Sequence, residues 1–308
     1  MDRTDLATEE LLLLWAARET GALAALTDDA DDPAAVAAAA GITEHAAELV
    51  VDVLAARGFL AQVDGAYEPT NRLLGFLASA DLRSVGTLPD ALDAVDALTS
   101  LPETMTTGEP PESGDLVHRL GARVATPAAT VRAVVTAAVR EASDAERVLT
   151  VGNAPGTVAE EFVARGYAVT LADEADAIEA ATPLLATTPV ETVALDAEPA
   201  SDELTDALPG GFDLVFAADT TRRNDPAANR RLVSRLADAL APGGTVVLVD
   251  LLADRSERAT PAAVEALARY GGGVYDEAEV TDLFTAAGLD ATVREIPGED
   301  RVAVVGRR

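Results

Sequence analysis

The chain has 308 residues, a length that suits two domains, with 49% apolar residues to fill their cores and only 4% aromatics. Its 53 acidic residues face 23 basic ones, all of them arginine, for a formal net charge of −30. A balance so acidic argues against a nucleic-acid partner, which needs a basic face for its phosphates, and the absence of cysteine removes disulfides, thiolate metal sites and cysteine nucleophiles.

Residues 1–100 are dense in helical periodicity. A first helix is expected over Thr8–Arg18 and a short one over Gly21–Leu26. The run Leu11–Ala17, LLLLWAA, is too short to span a bilayer, and the N-terminus lacks the basic–apolar–small pattern of a secretion signal. Asp32-Pro33 opens a helix over Ala34–Ala40, with proline at the first helical position and Gly41 as its stop. Thr43 N-caps the next helix, Thr43–Arg57. Gly58–Val63 and Ala66–Pro69 then form a hairpin around Asp64-Gly65, a type I′ signal.

Three helices followed by a two-stranded wing make a winged-helix pattern. Its recognition helix would carry Glu44, Glu48 and Asp52 against a lone Arg57, which disfavours DNA and favours a protein partner. Leu11–Trp15 and the Leu73–Leu77 run offer apolar surface for a two-fold copy.

Residues 101–128 are punctuated by proline and glycine around a helix at Asp115–Ala125, and Thr130–Ala142 forms another helix. From Arg147 onward strands and helices alternate, the mark of a mainly parallel sheet. The expected strands are Arg147–Val151, a second ending at Asp173, Pro189–Leu195, Phe212–Ala217 and Gly244–Asp250. A helix over Pro226–Leu240 ends in Ala241-Pro242-Gly243-Gly244, and another spans Glu277–Ala287. Ala291–Ile296 and Arg301–Val305 read as an antiparallel hairpin on the sheet edge. The boundaries this implies are a domain over 1–100, a helical connector over 101–143 and a sheet domain over 144–308.

The stretch RVLTVGNAPGTVAEEFVARGYAVTLAD, Arg147–Asp173, carries the most chemistry. An apolar strand leads into the loop Gly152-Asn153-Ala154-Pro155-Gly156, where glycine lets backbone approach a ligand. Thr157 is expected to N-cap the helix after it, with Glu160 completing a capping box, and Gly166 to stop it. Asp173 ends the next strand, where an acid can take both hydroxyls of a ribose. A dinucleotide fingerprint is absent, because Ala154 and Thr157 stand where its second and third glycines belong. A phosphate-cradling P-loop is excluded by the absence of lysine. A nucleoside without a pyrophosphate is left, and S-adenosylmethionine (SAM) fits; the alternative is an ordinary strand–helix turn with no ligand.

Taken together, the winged-helix segment through Thr70, LPETMTTGEPPE at Leu101–Glu112, VGNAPG at Val151–Gly156, FDLVFAAD at Phe212–Asp219, LADALAPGGTVVLVD at Leu236–Asp250 and the final helix and hairpin cover nearly the whole chain. In these segments it resembles the SAM-dependent O-methyltransferases that carry an N-terminal winged-helix dimerisation domain, the small-molecule type of plants, bacteria and archaea. The resemblance implies an α/β fold: a Rossmann-like sheet, mostly parallel with an antiparallel C-terminal strand, preceded by a helical winged-helix domain. It implies a homodimer held by the N-terminal domain and a small-molecule methyl acceptor. Gly152, Asn153, Ala154, Pro155 and Gly156 would wrap the methionine end of SAM, and Asp173 would hold the ribose. Asp196 would sit beside the adenine with Ala197 contributing backbone. Ala217, Ala218 and Asp219 would border the methyl-donor site. No metal is implied, since no convergent acid and asparagine cluster is evident.

Three departures from that pattern stand out. Thr150 replaces the acid that opens the loop, and Ala154 replaces its middle glycine, which is acceptable only at negative φ. Many relatives use a histidine after the fourth strand as general base; in TTRRNDPAAN its position falls on Arg222, which cannot accept a proton. Of the two histidines, His45 reads as a surface helix residue; His118 lies in the connector helix, which the resemblance implies can line the substrate pocket, the alternative being a solvated helix position, so His118 and Arg222 are the catalytic candidates. Aromatic and sulfur candidates for the acceptor pocket are scattered: Phe76, Met105, Tyr270, Tyr275 and Phe284. Either the acceptor arrives ionised and is oriented by Arg222 or Arg223, or the chain is a non-catalytic SAM-binding or dimeric regulatory protein; a winged-helix transcription regulator is the third alternative. The acid-rich, lysine-free composition suits a salt-loaded cytoplasm, where the Debye length falls to roughly 3 Å at 1 M and self-repulsion is screened, so an extreme halophile is expected as the source.

Overall fold

The computed structural model describes residues 6–77, 81–111, 114–205 and 207–308, with backbone alone for 75–77. It divides into two compact units, Met1–Asp96 with Ser113–Ala125, and Ala97–Glu112 with Thr126–Arg308. Of the expected connector, helix Leu116–Val124 falls in the N-terminal unit, and helices Leu101–Thr107 and Ala128–Glu141 fall in the sheet unit.

The N-terminal unit obeys its local signals. Helix Thr8–Glu19 is followed by the short Ala22–Ala25. Asp32 caps helix Pro33–Ala40 by accepting the Ala35 amide at 2.8 Å. Thr43 caps Glu44–Ala56 through the Ala46 amide at 3.3 Å. Strands β1, Leu60–Val63, and β2, Ala66–Pro69, pair antiparallel. Their turn residues Asp64 and Gly65 have φ of 52° and 93°, the two positive values a type I′ turn requires. Leu14, Val36, Val50, Val51, Leu54, Leu73 and Leu92 close the core. A polar clasp completes it: Arg18 pairs with Asp93 at 2.9 Å and with Asp96, which also accepts the Trp15 indole N–H.

The sheet unit holds β3 (Arg147–Val151), β4 (Ala168–Glu174), β5 (Val190–Leu195), β6 (Phe212–Ala218), β7 (Leu240–Asp250), β8 (Asp290–Glu295) and β9 (Val302–Arg307). Their order is β5-β4-β3-β6-β7-β9-β8. The first five strands of that order run parallel, and β9 runs antiparallel to both neighbours, as the sequence implied. Alternate residues of each central strand serve opposite faces. Leu214 and Phe216 of β6 meet helices Ala128–Glu141 and Thr157–Ala164 on one face. Val215 and Ala217 meet Pro226–Asp238 and Glu277–Ala286 on the other.

Two local expectations are corrected. The N-cap before helix Thr157–Ala164 is Gly156, with φ of 105° and no side-chain cap; Thr157 is already its first residue. The left-handed glycine turns the chain so sharply that the helix starts one residue early. Helix Pro226–Asp238 stops at Asp238, and Ala241–Gly244 lies inside β7, beside a register shift against β6 at Phe212/Leu214. The sequence Pro-Gly-Gly here marks an irregular strand start rather than a free turn. Among the described residues no single helix is long and apolar enough to cross a membrane.

Candidate functional site

Because β3, β4, β6 and β7 are parallel, their carboxyl ends share one edge, and the loops leaving those strands converge there. That edge has two differently built halves.

The first half is the loop after β3. Gly152 has φ of 67°, and a Cβ there would lie 3.3 Å from the Thr220 methyl and 3.7 Å from Arg223 Nη2. A Cβ on Gly156 would lie 2.8 Å from Leu185 Cδ2. Both positions have the left-handed backbone that disfavours side chains, and at both a neighbouring side chain would have to shift to admit a Cβ. Ala154 meets its condition: Asp64 and Asp219 are the non-glycine residues at positive φ among those described. Its buried amide donates to Asp173 Oδ2 at 2.8 Å, and the Glu174 amide donates to Asp173 Oδ1 at 3.0 Å. Asp173 braces the loop with one lone pair of each oxygen, and a carboxylate has about four acceptor sites in all. The Asn153 amide nitrogen donates to the Ala218 carbonyl at 3.1 Å. Of the five buried side-chain polar atoms that lack a partner among the described residues, three border this loop: Asn153 Oδ1 on the loop itself, and Thr220 Oγ1 and Arg223 Nε on the turn after β6 beside it. Native interiors rarely leave such atoms unmatched.

The second half lies beyond β6 and β7 and is saturated. Asp219, at φ of 57°, pairs with Arg222 at 3.0 Å and Arg301 at 2.9 Å. Arg301 also takes Glu299 at 2.9 Å. Asp250, only 1% exposed, accepts the Thr221 amide at 3.0 Å, the Thr221 hydroxyl at 2.7 Å and the Leu251 amide at 2.9 Å. Arg222 Nη1 lies 3.7 Å from it. Burial pushes the Asp250 carboxyl above the usual range, against the pull of Arg222. Burial opposes the charge on Arg222, but Asp219 and Asp250 outweigh it and hold its pKa above the ordinary arginine value. The turn 221–223 is itself fixed: Asn229 donates to the Thr221 carbonyl at 2.9 Å, and Asn224 to that of Thr220 at 2.9 Å. A Cβ on Gly272 would lie 2.3 Å from the Arg222 carbonyl oxygen.

The other expected site residues divide. Ala218 lies at the edge, its carbonyl engaged by Asn153. Asp196, at the end of β5, accepts the Thr205 amide at 3.2 Å and the Thr205 hydroxyl, so its carboxylate closes the loop 196–205; Ala197 packs partly against the sheet core. His118 belongs to the N-terminal unit, where Nδ1 lies 2.8 Å from Asp93. That hydrogen bond raises the imidazole above its ordinary value against the effect of burial. Burial pushes Asp93 up, but His118, the Asp115 amide and Arg18 together hold it below the usual carboxylate range. Phe284 is fully buried in the sheet core, which corrects its place among the pocket candidates. Tyr275 donates its hydroxyl to the Asn224 carbonyl, Tyr270 lies beside the Arg269 guanidinium, and Met105 is exposed. The Phe76 side chain lies outside the described residues. Thr221 and Asp250 are not among the residues that the sequence pattern singles out; the signal for Asp250 is an acid ending an otherwise apolar strand.

Residues 112–293, more than half of the chain, match the family model described as a methyltransferase domain. The chain belongs to that family. A curated relative, a 3-hydroxy-5-methyl-1-naphthoate 3-O-methyltransferase of Streptomyces sahachiroi, is 29% identical, over 92% of this methyltransferase and 88% of the relative. Among solved structures, a mitomycin 7-O-methyltransferase superposes with a TM-score of 0.69 at 19% identity, covering 97% of this chain and 94% of that one. An O-methyltransferase from neocarzinostatin biosynthesis, solved with SAM and 2-hydroxy-5-methyl naphthoic acid, gives 0.63 at 19% identity, covering 98% and 96%. These two likenesses confirm the fold. The methyltransferase takes SAM as its cofactor, and the first half of the edge fits it: a loop turned by two left-handed glycines, a carboxylate with lone pairs to spare, and unmatched polar atoms of both polarities around it.

Proposed function

We propose that this methyltransferase acts at oxygen on a small, acidic acceptor, and that the carboxyl edge of β3 to β7 is where the cofactor and acceptor meet. The observation that carries this reading is the contrast between a glycine-turned loop ringed by unmatched polar atoms and the saturated cluster beside it. Bound SAM supplies an electrophilic methyl group on its sulfonium. In this reading Gly152, Asn153, Ala154, Pro155 and Gly156 enclose its methionine end, Asp173 accepts the ribose hydroxyls, Asp196 and Ala197 flank the adenine, and Ala218 and Asp219 border the methyl group. Arg222 stays charged between two carboxylates and takes no proton. An acceptor that arrives already ionised needs none taken, and transfer then rests on in-line positioning. The naphthoate named for the Streptomyces relative suggests hydroxylated aromatic acids as the first acceptors to test. Calorimetric titration of SAM in molar KCl, with Asp173→Ala alongside, tests the cofactor site: binding is expected, and at least about tenfold weaker in the variant. Failure of the unaltered protein to bind SAM would overturn the reading.

A second reading, a SAM-binding protein without turnover, is favoured by one observation: the residue at the expected base position is sequestered by Asp219 and Asp250. Turnover of any acceptor in a screen of hydroxylated acids would end it.

We further propose that the N-terminal unit is a winged-helix dimerisation domain, with Leu12, Leu49 and Leu74 among its exposed apolar side chains, and that the protein works in a salt-loaded cytoplasm. Light scattering in 2 M KCl is expected to give twice the chain mass. Dialysis into dilute buffer is expected to unfold the protein, because a net charge of −30 is then unscreened.

A further inference from the structure

Arg223 is distinctive in a chain whose arginines are widely engaged by acids. No hydrogen bond or ion pair of its side chain is found among the described residues, and its Nε is buried without an acceptor. Its Nη2 lies 3.7 Å from the point where a Cβ on Gly152 would stand, so the guanidinium faces the opening of the glycine loop. Two more unmatched atoms adjoin it. Thr220 places its methyl 3.3 Å from that same point and leaves its hydroxyl oxygen unpartnered. Asn153, next to Gly152, leaves Oδ1 unpartnered. The Asn153 orientation is fixed by its own contact, because Nδ2 donates to the Ala218 carbonyl at 3.1 Å, and a flipped amide would set oxygen against oxygen. The loop therefore opens onto one buried cationic donor and two buried oxygen acceptors.

That combination is complementary to an α-amino acid: a carboxylate for the guanidinium, and an ammonium for the amide and hydroxyl oxygens. A planar arginine fork suits a carboxylate, and hydrogen bonds between charged groups are the strong ones. Arg222, one residue earlier, cannot serve, because Asp219 and Asp250 already hold it. Resting on the cofactor reading above, we propose that Arg223 clamps the carboxylate of the methionine end of SAM, with Asn153 Oδ1 and Thr220 Oγ1 accepting its ammonium group. Arg223 is thus a cofactor-positioning residue and not the acceptor-orienting residue its neighbourhood first suggests. The pair of arginines after β6 divides its work: Arg222 neutralises the protein's own acids, and Arg223 is kept free for the ligand's.

The test compares two ligands that differ in this amino-acid group. S-adenosylhomocysteine carries it; 5′-methylthioadenosine keeps the adenosine and thioether but lacks it. Both are titrated calorimetrically, in molar KCl, into the unaltered protein and Arg223→Met. The expected result is a loss of at least about tenfold in affinity for S-adenosylhomocysteine, with methylthioadenosine unchanged within about twofold, which also reports that the variant is folded. Equal losses for the two ligands, or none for either, would overturn the clamp. If the unaltered protein binds neither ligand, the cofactor reading itself falls, and the clamp with it. Should Arg223→Met fail to fold, decarboxylated S-adenosylhomocysteine on the unaltered protein decides: affinity equal to that of the parent compound overturns the proposal, and a loss of about tenfold or more supports it.

Discussion

The two halves of the sheet's carboxyl edge solve the same problem in opposite ways. After β3 the chain turns its backbone through the left-handed Gly152 and Gly156 and leaves Asn153 Oδ1 unmatched, beside the unmatched Thr220 Oγ1 and Arg223 Nε of the turn after β6. After β6 and β7 it does the reverse, and matches Asp219 and Asp250 with two arginines, a threonine and backbone amides. A polar site with open valences is built to receive; one whose valences are filled from within is built to hold its shape. The saturated half keeps Thr220 and Arg223 in place for the open half, because both residues lie on the turn that Asp250 anchors.

On that division, the largest effect on stability comes from the saturated half. Asp250→Ala strands Arg222 with a single carboxylate and leaves the Thr221 amide without its acceptor. A loss of about 3–5 kcal/mol is expected, read by denaturant unfolding in molar KCl. Gly156→Ala probes the open half sterically: a side chain at φ of 105° pressed against Leu185 should destabilise by about 1–3 kcal/mol, and should weaken S-adenosylhomocysteine binding in the same titration. Asp196→Ala comes next. It frees Thr205 and should cost about 1 kcal/mol of stability, with a smaller loss of cofactor affinity than Asp173→Ala. Equal losses in the two variants would move the centre of the adenosine site toward β5.

The smallest effect lies outside the edge, in the N-terminal unit. His118 is raised by Asp93, so its contribution to stability is fully present below the unfolded value of about 6.5 and is lost as pH rises through the folded one. Asp93, held low, contributes above about 3.9 and loses that contribution as pH falls through its folded value. Unfolding midpoints should therefore decline as pH is raised beyond neutrality, and His118→Gln should flatten that decline without altering the acid limb's direction.

Local signals made much of this legible in the chain. Asp32-Pro33, Thr43 and Asp64-Gly65 specify their caps and turn by short-range geometry alone, and each appears where expected. The continuous apolar run Leu214–Ala217 specifies a strand covered on both faces. What could not be read depends on partners distant in sequence. Nothing near Arg222 announces that Asp250, 28 positions later, will sequester it. Nothing near Phe284 distinguishes a core aromatic from a pocket wall. The expectation of Thr157 as a cap failed for a subtler reason, since the left-handed glycine before it took over the turn. Ala154 shows the converse: a substitution that looks like damage to the loop is accommodated, because its φ is not positive, and its amide still reaches Asp173.

That last contact bears on kinetics. A loop already braced by the Ala154 amide on Asp173 has little ordering left to do when the nucleoside arrives, so association should proceed as a single exponential whose rate scales linearly with ligand concentration. The lifetime of the complex, rather than its formation, is then where the affinities of different nucleosides diverge.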